Sequence, residues 1–256
     1  DSYMTTINYL GEEFPEYLLD FGQIKDSAKF FKINTKQKNN YIPTNVINPN
    51  NTSINIQNLS IKRNNKLIFE NFNLSIPHRH KLAIFGKSGR GKSTLLKAIM
   101  GIVHPVNGSI QVSGHDLKTH NLVDLRSKIV FIGQDTVLLN KNIIDNMMEG
   151  NSATKAEVVE LLTKYQLDKV FQNGINTMVE QNGNNLSKGM QKVIFMVRGL
   201  LRDGYIYLID EPTTSLDPAT KTKVIKMIAD ICKDKTIMCV SHDPDIKKIM
   251  DETIEL

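Results

Sequence analysis

Glycine, lysine and serine are concentrated in one short stretch, GKSGRGKS, which runs from Gly86 to Ser93. Its spacing fits the pattern G-x-x-x-x-G-K-[ST], in which backbone N–H groups wrap closely around a chain of phosphates. Glycine suits such a loop because it has no side chain to hold the anion away. We expect Lys92 to reach the outer phosphates and Ser93 to offer its hydroxyl to Mg²⁺. The candidate nucleotide-binding residues are Gly86, Lys87, Ser88, Gly89, Arg90, Gly91, Lys92, Ser93 and Thr94.

Two carboxylates follow a second apolar stretch, YIYLIDE, which ends in Asp210 and Glu211. The apolar run is typical of a buried strand, so both acids would lie at the tip of that strand. We expect Asp210 to hold Mg²⁺, directly or through water, and Glu211 to polarise an attacking water. The alternative is a strand that simply ends in acidic residues. It is disfavoured because the phosphate loop itself predicts an acidic strand end.

The elements that must position these residues alternate between strand and helix. KLAIF is a continuous apolar run that ends at Gly86, and a helix is expected from Lys92 to about Met100. YIYLID and TIMCVS predict two more buried strands, separated by the helical pattern ATKTKVIKMIADIC. SATKAEVVELLTKYQL predicts another helix, with Ser152 or Thr154 as its N-cap. This alternation predicts an α/β fold with a mainly parallel sheet.

Three segments differ in texture along the chain. In residues 1–33 apolar side chains recur at steps of three or four, which predicts a helix with one apolar face. That helix would pack either on its own domain or against partners outside this sequence. Residues 34–53 are rich in asparagine and read as a linker. A nucleotide-binding domain is then expected over 54–256. Because the chain opens with Asp1 and not Met, we expect it to be a piece of a longer protein.

Composition narrows the classes of function. The formal net charge is +5, but the lysines are scattered among acids, which disfavours a nucleic-acid partner. No apolar run approaches the roughly 18 residues that a membrane-spanning helix needs. Cys232 and Cys239 fit no metal or redox spacing and are expected to be buried thiols.

Four further motifs follow the phosphate loop: FIGQD, NNLSKGMQK, SLD and CVSHD. In their order and spacing they resemble the motifs of the nucleotide-binding domain of ABC transporters, and the resemblance covers Ile54 to Leu256. It assigns Gln134 as the Q-loop glutamine and His242 as the switch histidine, with roles in catalysis beside Glu211. The resemblance also marks signature residues Leu186, Ser187, Lys188, Gly189 and Met190, and D-loop residues Ser215, Leu216 and Asp217.

The resemblance implies a P-loop NTPase with a mainly parallel core sheet, a small antiparallel β subdomain and a helical signature subdomain at about 135–200. It implies ATP and Mg²⁺ as cofactors, with Ser93, Gln134 and Asp210 around the metal. In this family two such domains dimerise head to tail, so that each ATP lies between one P-loop and the partner's signature. Binding of ATP joins the two domains, and hydrolysis of ATP separates them.

The stretch GHDLKTHNLVDLRSKIVFIGQDTVLLNKNIIDNMMEG resembles exporter-type members, in which a membrane domain precedes this domain in one longer chain. The resemblance implies an ATPase at the cytoplasmic face of a membrane that powers export, with residues 134–148 contacting the membrane domain. FGQIKDSAKFFKIN would then extend the last membrane helix into the cytosol. A soluble relative acting on DNA or ribosomes is disfavoured, because such forms carry two domains or a long coiled-coil insertion.

Several positions depart from the family pattern. Arg63 stands where exporters place an aromatic residue against adenine, and its guanidinium would either stack there or be solvated. Arg79 stands where a turn glycine is usual, and HRH at His78 to His80 is expected to be a solvated turn. In the signature, Lys188 replaces a glycine and Met190 a glutamine.

The altered signature leaves two partner arrangements open. In a heterodimer, this chain's ATP would be completed by a consensus signature from its partner, and the opposite site would turn over slowly. In a homodimer, both sites would be slow. A related alternative is that the domain mainly regulates its partner and hydrolyses slowly itself.

Overall fold

A computed structural model describes residues 48, 50–63, 66–87, 89–134 and 137–256. The expected helix within residues 1–33, most of the expected linker at 34–53, and Ser88 of the phosphate loop lie outside the described residues. In the part of the chain that is described, no helix has both the length and the apolar character needed to cross a bilayer.

The described residues form two sheets and a set of helices. The strands are β1 (Ile54–Arg63), β2 (Lys66–Ile76), β3 (Lys81–Phe85), β4 (Asn107–Val112), β5 (His115–Asp116), β6 (Ile129–Ile132), β7 (Ile206–Asp210), β8 (Thr236–Val240) and β9 (Glu252–Glu255). The α-helices are α1 (Lys92–Ile99), α2 (Leu122–Arg126), α3 (Ile143–Met148), α4 (Lys155–Lys164), α5 (Lys188–Leu200) and α6 (Pro218–Ile231). Short 3₁₀ helices cover Asp168–Val170, Gln181–Gly183 and Pro244–Ile249.

The central sheet has five strands in the order β6-β7-β8-β3-β9, and all neighbours are parallel. Every residue of β7 and β8 is buried, as expected for strands that are covered on both faces. Parallel strands end at the same edge of a sheet, so Gly86, Glu211 and His242 follow β3, β7 and β8 at one edge. The predicted α/β fold with a mainly parallel sheet is confirmed.

A second, smaller sheet is antiparallel, with the order β2-β1-β4-β5. The predicted strand INIQNLSI lies within β1, and FNLSI forms the end of β2. Apolar side chains from β1 pack with β3 and α1 in one buried cluster, whose members include Ile54, Leu82 and Leu96. This cluster joins the small sheet to the phosphate-loop helix.

Helices α3, α4 and α5 lie within the region expected to form the helical subdomain. Thr154 caps α4 in a capping box: its hydroxyl accepts the N–H of Glu157 at 3.3 Å, and the Glu157 carboxylate accepts the N–H of Thr154 at 2.6 Å. Of the two candidate caps, Thr154 is therefore the one used. Ser187 caps α5, which is buried over most of its length.

The turn between β2 and β3 is more embedded than the solvated turn expected from HRH. The backbone N–H of Thr52 donates to Nδ1 of His78 at 3.2 Å, and the N–H of Arg79 donates to the hydroxyl of the buried Thr236 at 2.8 Å. Arg79 itself is exposed and has a φ of 57°, the conformation that glycine adopts without strain. Its backbone geometry explains why a glycine would fit this position.

Both cysteines are free and buried, as predicted. Burial raises the pKa of the Cys232 thiol to about 12, and it also raises the pKa of Cys239. Neither thiol is poised for nucleophilic or redox chemistry, since both remain protonated at neutral pH.

Candidate nucleotide-binding site

The phosphate loop needs its glycines for two different reasons. Gly86, Gly89 and Gly91 all have positive φ, at 145°, 82° and 89°. A side chain on Gly91 would collide with Ile68, whereas a side chain on Gly89 would meet no atom within 4 Å. Gly91 therefore lets the loop pack against β2, and Gly89 keeps its open side free of a side chain.

Lys92, the first residue of α1, is buried with only 6% of its surface exposed. Its ammonium donates to the carbonyl oxygens of Gly86 at 2.6 Å and Lys87 at 3.1 Å. It also lies 3.2 Å from Nε2 of His242. These contacts hold a positive charge over the loop at the N-terminus of a helix, where both the charge and the helix dipole favour an anion.

Glu211 follows β7 and is held from three sides. It has a φ of 51°, a strained conformation for a residue with a side chain. Its Oε1 lies 3.3 Å from Nε2 of His242, and its Oε2 accepts the His242 N–H at 3.3 Å and the Thr214 hydroxyl at 3.4 Å. Its side chain is 13% exposed. The carboxylate is thus fixed at the mouth of the site but remains in reach of water.

Asp210, the last residue of β7, carries a buried oxygen without a partner. The residue is 4% exposed, and among the described residues its Oδ1 has no hydrogen-bond partner. A buried carboxylate oxygen is costly to leave unpaired, and it is a preferred ligand of Mg²⁺. In the described part of the chain no three His, Cys, Asp or Glu residues are grouped to hold a metal. This fits an ion that takes its other ligands from phosphate, water and neutral side-chain oxygens.

One cavity of about 410 Å³, here called the P-loop cavity, collects most of the residues predicted to bind nucleotide and metal. Predicted residues on its wall are Arg63, Gly89, Gly91, Lys92, Ser93, Thr94, Gln134, Asp210, Glu211 and His242. Gly86, Lys87 and Arg90 belong to the loop but do not line the cavity. Ile68, Thr214 and Val240 line it and were not predicted.

A second cavity of about 730 Å³, here called the signature cavity, shares no lining residue with the first. It brings the predicted signature and D-loop residues together: Ser187, Lys188, Gly189, Met190, Ser215, Leu216 and Asp217. Leu186 does not line this cavity and is buried in the hydrophobic core, with 7% of its surface exposed. Lys169 and Lys223 add positive charge to the wall and were not predicted. The two motif groups of this chain therefore form separate surfaces.

The start of α5 shows how the altered signature is arranged. The Ser187 hydroxyl accepts the N–H of Met190 at 3.2 Å and so caps the helix. The Lys188 ammonium donates to Oε1 of Gln191 at 3.4 Å. Gln191 is in turn fixed, because its Nε2 donates to the carbonyl oxygens of Gly183 at 2.8 Å and Leu186 at 3.2 Å. The Lys188 side chain is thus hydrogen-bonded to a residue of its own helix.

Asp217 serves both the D-loop and α6. Its carboxylate accepts the N–H groups of Ala219 and Thr220 at 3.0 Å each, which makes it the N-cap of α6. Hydrogen bonds from Thr220, and a weaker one from Ala219, hold the pKa of the Asp217 carboxyl below its usual range.

A glycine-rich loop between a buried parallel strand and a helix, with carboxylates at the tip of a neighbouring strand, defines a P-loop nucleotide-binding domain. The family profile described as ABC transporter matches residues 69–214, which is more than half of the chain. The chain belongs to the ABC transporter family.

Relatives include the alpha-hemolysin translocation ATP-binding protein HlyB of Escherichia coli, which is 34% identical over 212 residues, covering 81% of this chain and 30% of that protein. ABC transporter ATM1 of Plasmodium falciparum is 32% identical over 203 residues, covering 78% and 19%. The chain spans less than a third of either relative. A solved bacterial Atm1-family ABC exporter with ATP bound has the same fold, with a TM-score of 0.77 at 23% identity, covering 91% of this chain and 42% of that one.

Proposed function

We propose that this chain binds ATP with Mg²⁺ and hydrolyses it, as the ATPase domain of an exporter-type ABC transporter. The observation that carries this proposal is the P-loop cavity, where Lys92 at the start of α1 meets Asp210, Glu211 and His242 from the ends of two parallel strands. Each of these groups has a role in phosphoryl transfer to water, and membership of the family supports the same reaction.

In the proposed mechanism the loop N–H groups and Lys92 bind the phosphate chain. Ser93, Gln134 and Asp210 would hold Mg²⁺, which neutralises charge on the outer phosphates when bound. Glu211 accepts a proton from the attacking water while His242, 3.3 Å from Oε1 of Glu211, keeps that carboxylate and the outer phosphate in register. The Thr214 hydroxyl orients the other oxygen, Oε2.

The signature cavity supports a second part of the proposal, a head-to-tail partner domain. In the described residues the signature surface is separate from the P-loop cavity, so one chain alone does not place Ser187 against its own nucleotide. We propose that ATP joins this P-loop cavity to the signature of a second nucleotide-binding domain, in a homodimer or a heterodimer. This domain would lie at the cytoplasmic face of the membrane, and a membrane domain in the same longer chain would use the resulting motion for export.

Lys92→Ala tests the proposal directly. Removing the ammonium takes the charge away from the outer phosphates, so the affinity for ATP with Mg²⁺ should fall strongly and hydrolysis should be lost. Isothermal titration and phosphate release measure the two effects. Lys97→Ala is the matched control, because Lys97 lies on the same helix and does not line the P-loop cavity. Unchanged nucleotide affinity in Lys92→Ala would refute the proposal.

A further inference from the structure

Arg198, on α5, ties that helix to the segment that follows Gln134. Its Nε donates to the backbone oxygen of Asn146 at 2.7 Å, and one terminal nitrogen donates to Oδ1 of Asn146 at 2.9 Å. The other terminal nitrogen donates to the backbone oxygen of Val137 at 3.0 Å. All three guanidinium nitrogens are therefore used on one neighbouring segment, 137–146.

Asn146 is the centre of that segment and is fully buried. Its Oδ1 also accepts the N–H of Leu139 at 2.9 Å, while its Nδ2 donates to the oxygens of Leu139 at 2.9 Å and Lys141 at 3.2 Å. The side chain thus folds the start of the segment onto the first turn of α3. Such a fully bonded polar group specifies one arrangement of its surroundings, because any shift leaves buried partners unpaired.

The two ends of this connection reach the two cavities. Gln134 lines the P-loop cavity and precedes Val137 by three positions, and α5 begins beside Ser187, which lines the signature cavity. A second contact runs in parallel. A Cβ on Gly183 would lie 2.6 Å from Leu138, so the segment packs closely on the backbone that Gln191 of α5 holds.

The surroundings of the Arg198 guanidinium add a packing contact to these hydrogen bonds. Arg198 is half-buried, and burial lowers its pKa while the nearby Glu149 opposes that effect. The Arg198 guanidinium also lies over the ring of Phe195, with 5.8 Å between the guanidinium carbon and the ring centroid. A planar fork of donors cannot be replaced by lysine without losing bonds, since lysine has a single nitrogen.

We propose that Arg198 is a positioning residue that couples the P-loop cavity to the signature cavity of the same chain. Nucleotide bound at the P-loop cavity acts on Gln134, the segment 137–146 moves with it, and Arg198 transmits that movement to the start of α5. The proposal rests on the proposed function, since it needs nucleotide at the P-loop. Coupling of this kind is a free energy shared by two sites, so it is measurable without hydrolysis.

The test compares Arg198→Met with Arg202→Met. Arg202 lies just after α5 and is exposed, and its side chain donates from Nε to the oxygen of Gly150 at 3.1 Å. Amide hydrogen exchange is followed in the 256-residue chain with and without saturating Mg²⁺ and AMP-PNP, at a protein concentration where size-exclusion chromatography shows a monomer in both states, so that no partner's nucleotide covers residues 186–190. In the wild type and Arg202→Met, nucleotide should slow exchange in residues 186–190. In Arg198→Met that response should be lost, while the affinity for AMP-PNP stays within about twofold, less than 0.5 kcal/mol.

Each result is decisive. A nucleotide response at 186–190 that survives in Arg198→Met overturns the coupling, as does its absence from the wild type when nucleotide binds. If AMP-PNP and ATP do not bind the wild type at all, the proposed function fails instead. Arg198→Lys and Asn146→Ser are second variants in case Arg198→Met does not fold. Thermal unfolding tests whether each is folded, and each folded variant should weaken the response at 186–190 without weakening nucleotide binding. A full response in both folded variants also overturns the proposal.

Discussion

The P-loop cavity and the signature cavity are built in different ways. In the first, Glu211 and His242 follow two neighbouring strands of one sheet and Lys92 begins α1, and His242 lies 3.2 Å from the Lys92 ammonium and 3.3 Å from the Glu211 carboxylate. In the second, the polar groups come from one helix start and one loop, and they bond mainly to their own neighbours. Charge convergence is therefore a property of the first cavity, whereas the second presents a capped helix end.

That difference suggests how the two surfaces tolerate change. A sheet edge fixes its side chains through buried strands, so a substitution among Lys92, Asp210 and Glu211 removes a group that nothing nearby replaces. The helix end keeps its backbone N–H groups whichever side chain stands at Lys188. A departure from the family pattern is thus less damaging at Lys188 than it would be at Lys92.

After Lys92→Ala, Glu211→Gln should have the largest effect, and it tests the P-loop cavity as the site of chemistry. Glutamine keeps the shape of the side chain and removes the proton acceptor, so turnover should fall by about 10²-fold or more, the scale of a lost general base. Nucleotide affinity should be retained, and ATP-bound dimers should accumulate in size-exclusion chromatography. Glu160→Gln, on the exposed face of α4, is the control. Rapid hydrolysis by Glu211→Gln would assign the base to another group.

Lys188→Gly examines the other side of the comparison and should have a smaller effect of opposite sign. With glycine at this position the partner's phosphate could approach the N-terminus of α5 more closely. In the wild type the Lys188 ammonium occupies that region and donates to Oε1 of Gln191 at 3.4 Å. Steady-state hydrolysis by the chain alone should rise by roughly tenfold, which corresponds to about 1.4 kcal/mol in the barrier. Lys223→Ala removes a charge from the same cavity and is the control.

The result for Lys188→Gly also separates the two partner arrangements. Faster hydrolysis by the single species supports a homodimer that is limited by its signature. If Lys188→Gly hydrolyses ATP no faster than the wild type, but adding a partner with a consensus signature raises the rate, the heterodimer is supported. A decrease in rate would show that the lysine charge itself contributes to binding the phosphate.

Arg63→Ala tests whether the P-loop cavity also binds the adenine ring of ATP. Arg63 lines that cavity near Ile68, which places its guanidinium on the wall and leaves the stacking interpretation open. Loss of a cation–π contact at an exposed site should weaken ATP binding by roughly two- to fivefold. Fluorescence titration with a labelled ATP measures the change, with Lys62→Ala on the same strand as the control. Equal affinities for both variants would favour the solvated alternative.

Much of the P-loop cavity could be predicted from the sequence because its signals are local. The run KLAIF, the glycine spacing and the helix after it occupy consecutive residues, and the structure has β3, the loop and α1 in that order. Thr154 could be chosen only as one of two caps, since the decision depends on where the Glu157 side chain lies. Capping is a geometric property that composition leaves ambiguous.

What the sequence could not provide are contacts between distant positions. Ile68 meets Gly91 because β2 folds over the loop, and no local pattern in either segment indicates it. Arg198 and Asn146 are 52 positions apart, and each is an ordinary helical residue when read alone. Thr214 is the nearest to being predictable, since it stands three positions after Glu211 and threonine hydroxyls commonly bond within a turn.

Asp217→Asn should have the smallest effect and concerns how the signature cavity is held together. Asparagine is as good an N-cap as aspartate, so α6 should keep its start while the charge is removed.

In the wild type the folded state holds the Asp217 pKa below the ordinary value of 3.8 through hydrogen bonds from Thr220 and Ala219. A lowered folded pKa means that this carboxylate stabilises the protein fully above pH 3.8 and loses that contribution as the pH falls below it. Between pH 5 and pH 3 the urea midpoint of the wild type should therefore drop slightly more than that of Asp217→Asn. Asp234→Asn, in the turn before β8, should behave as the wild type. If Asp217→Asn loses as much stability as the wild type over this range, the charge of this cap contributes no stability.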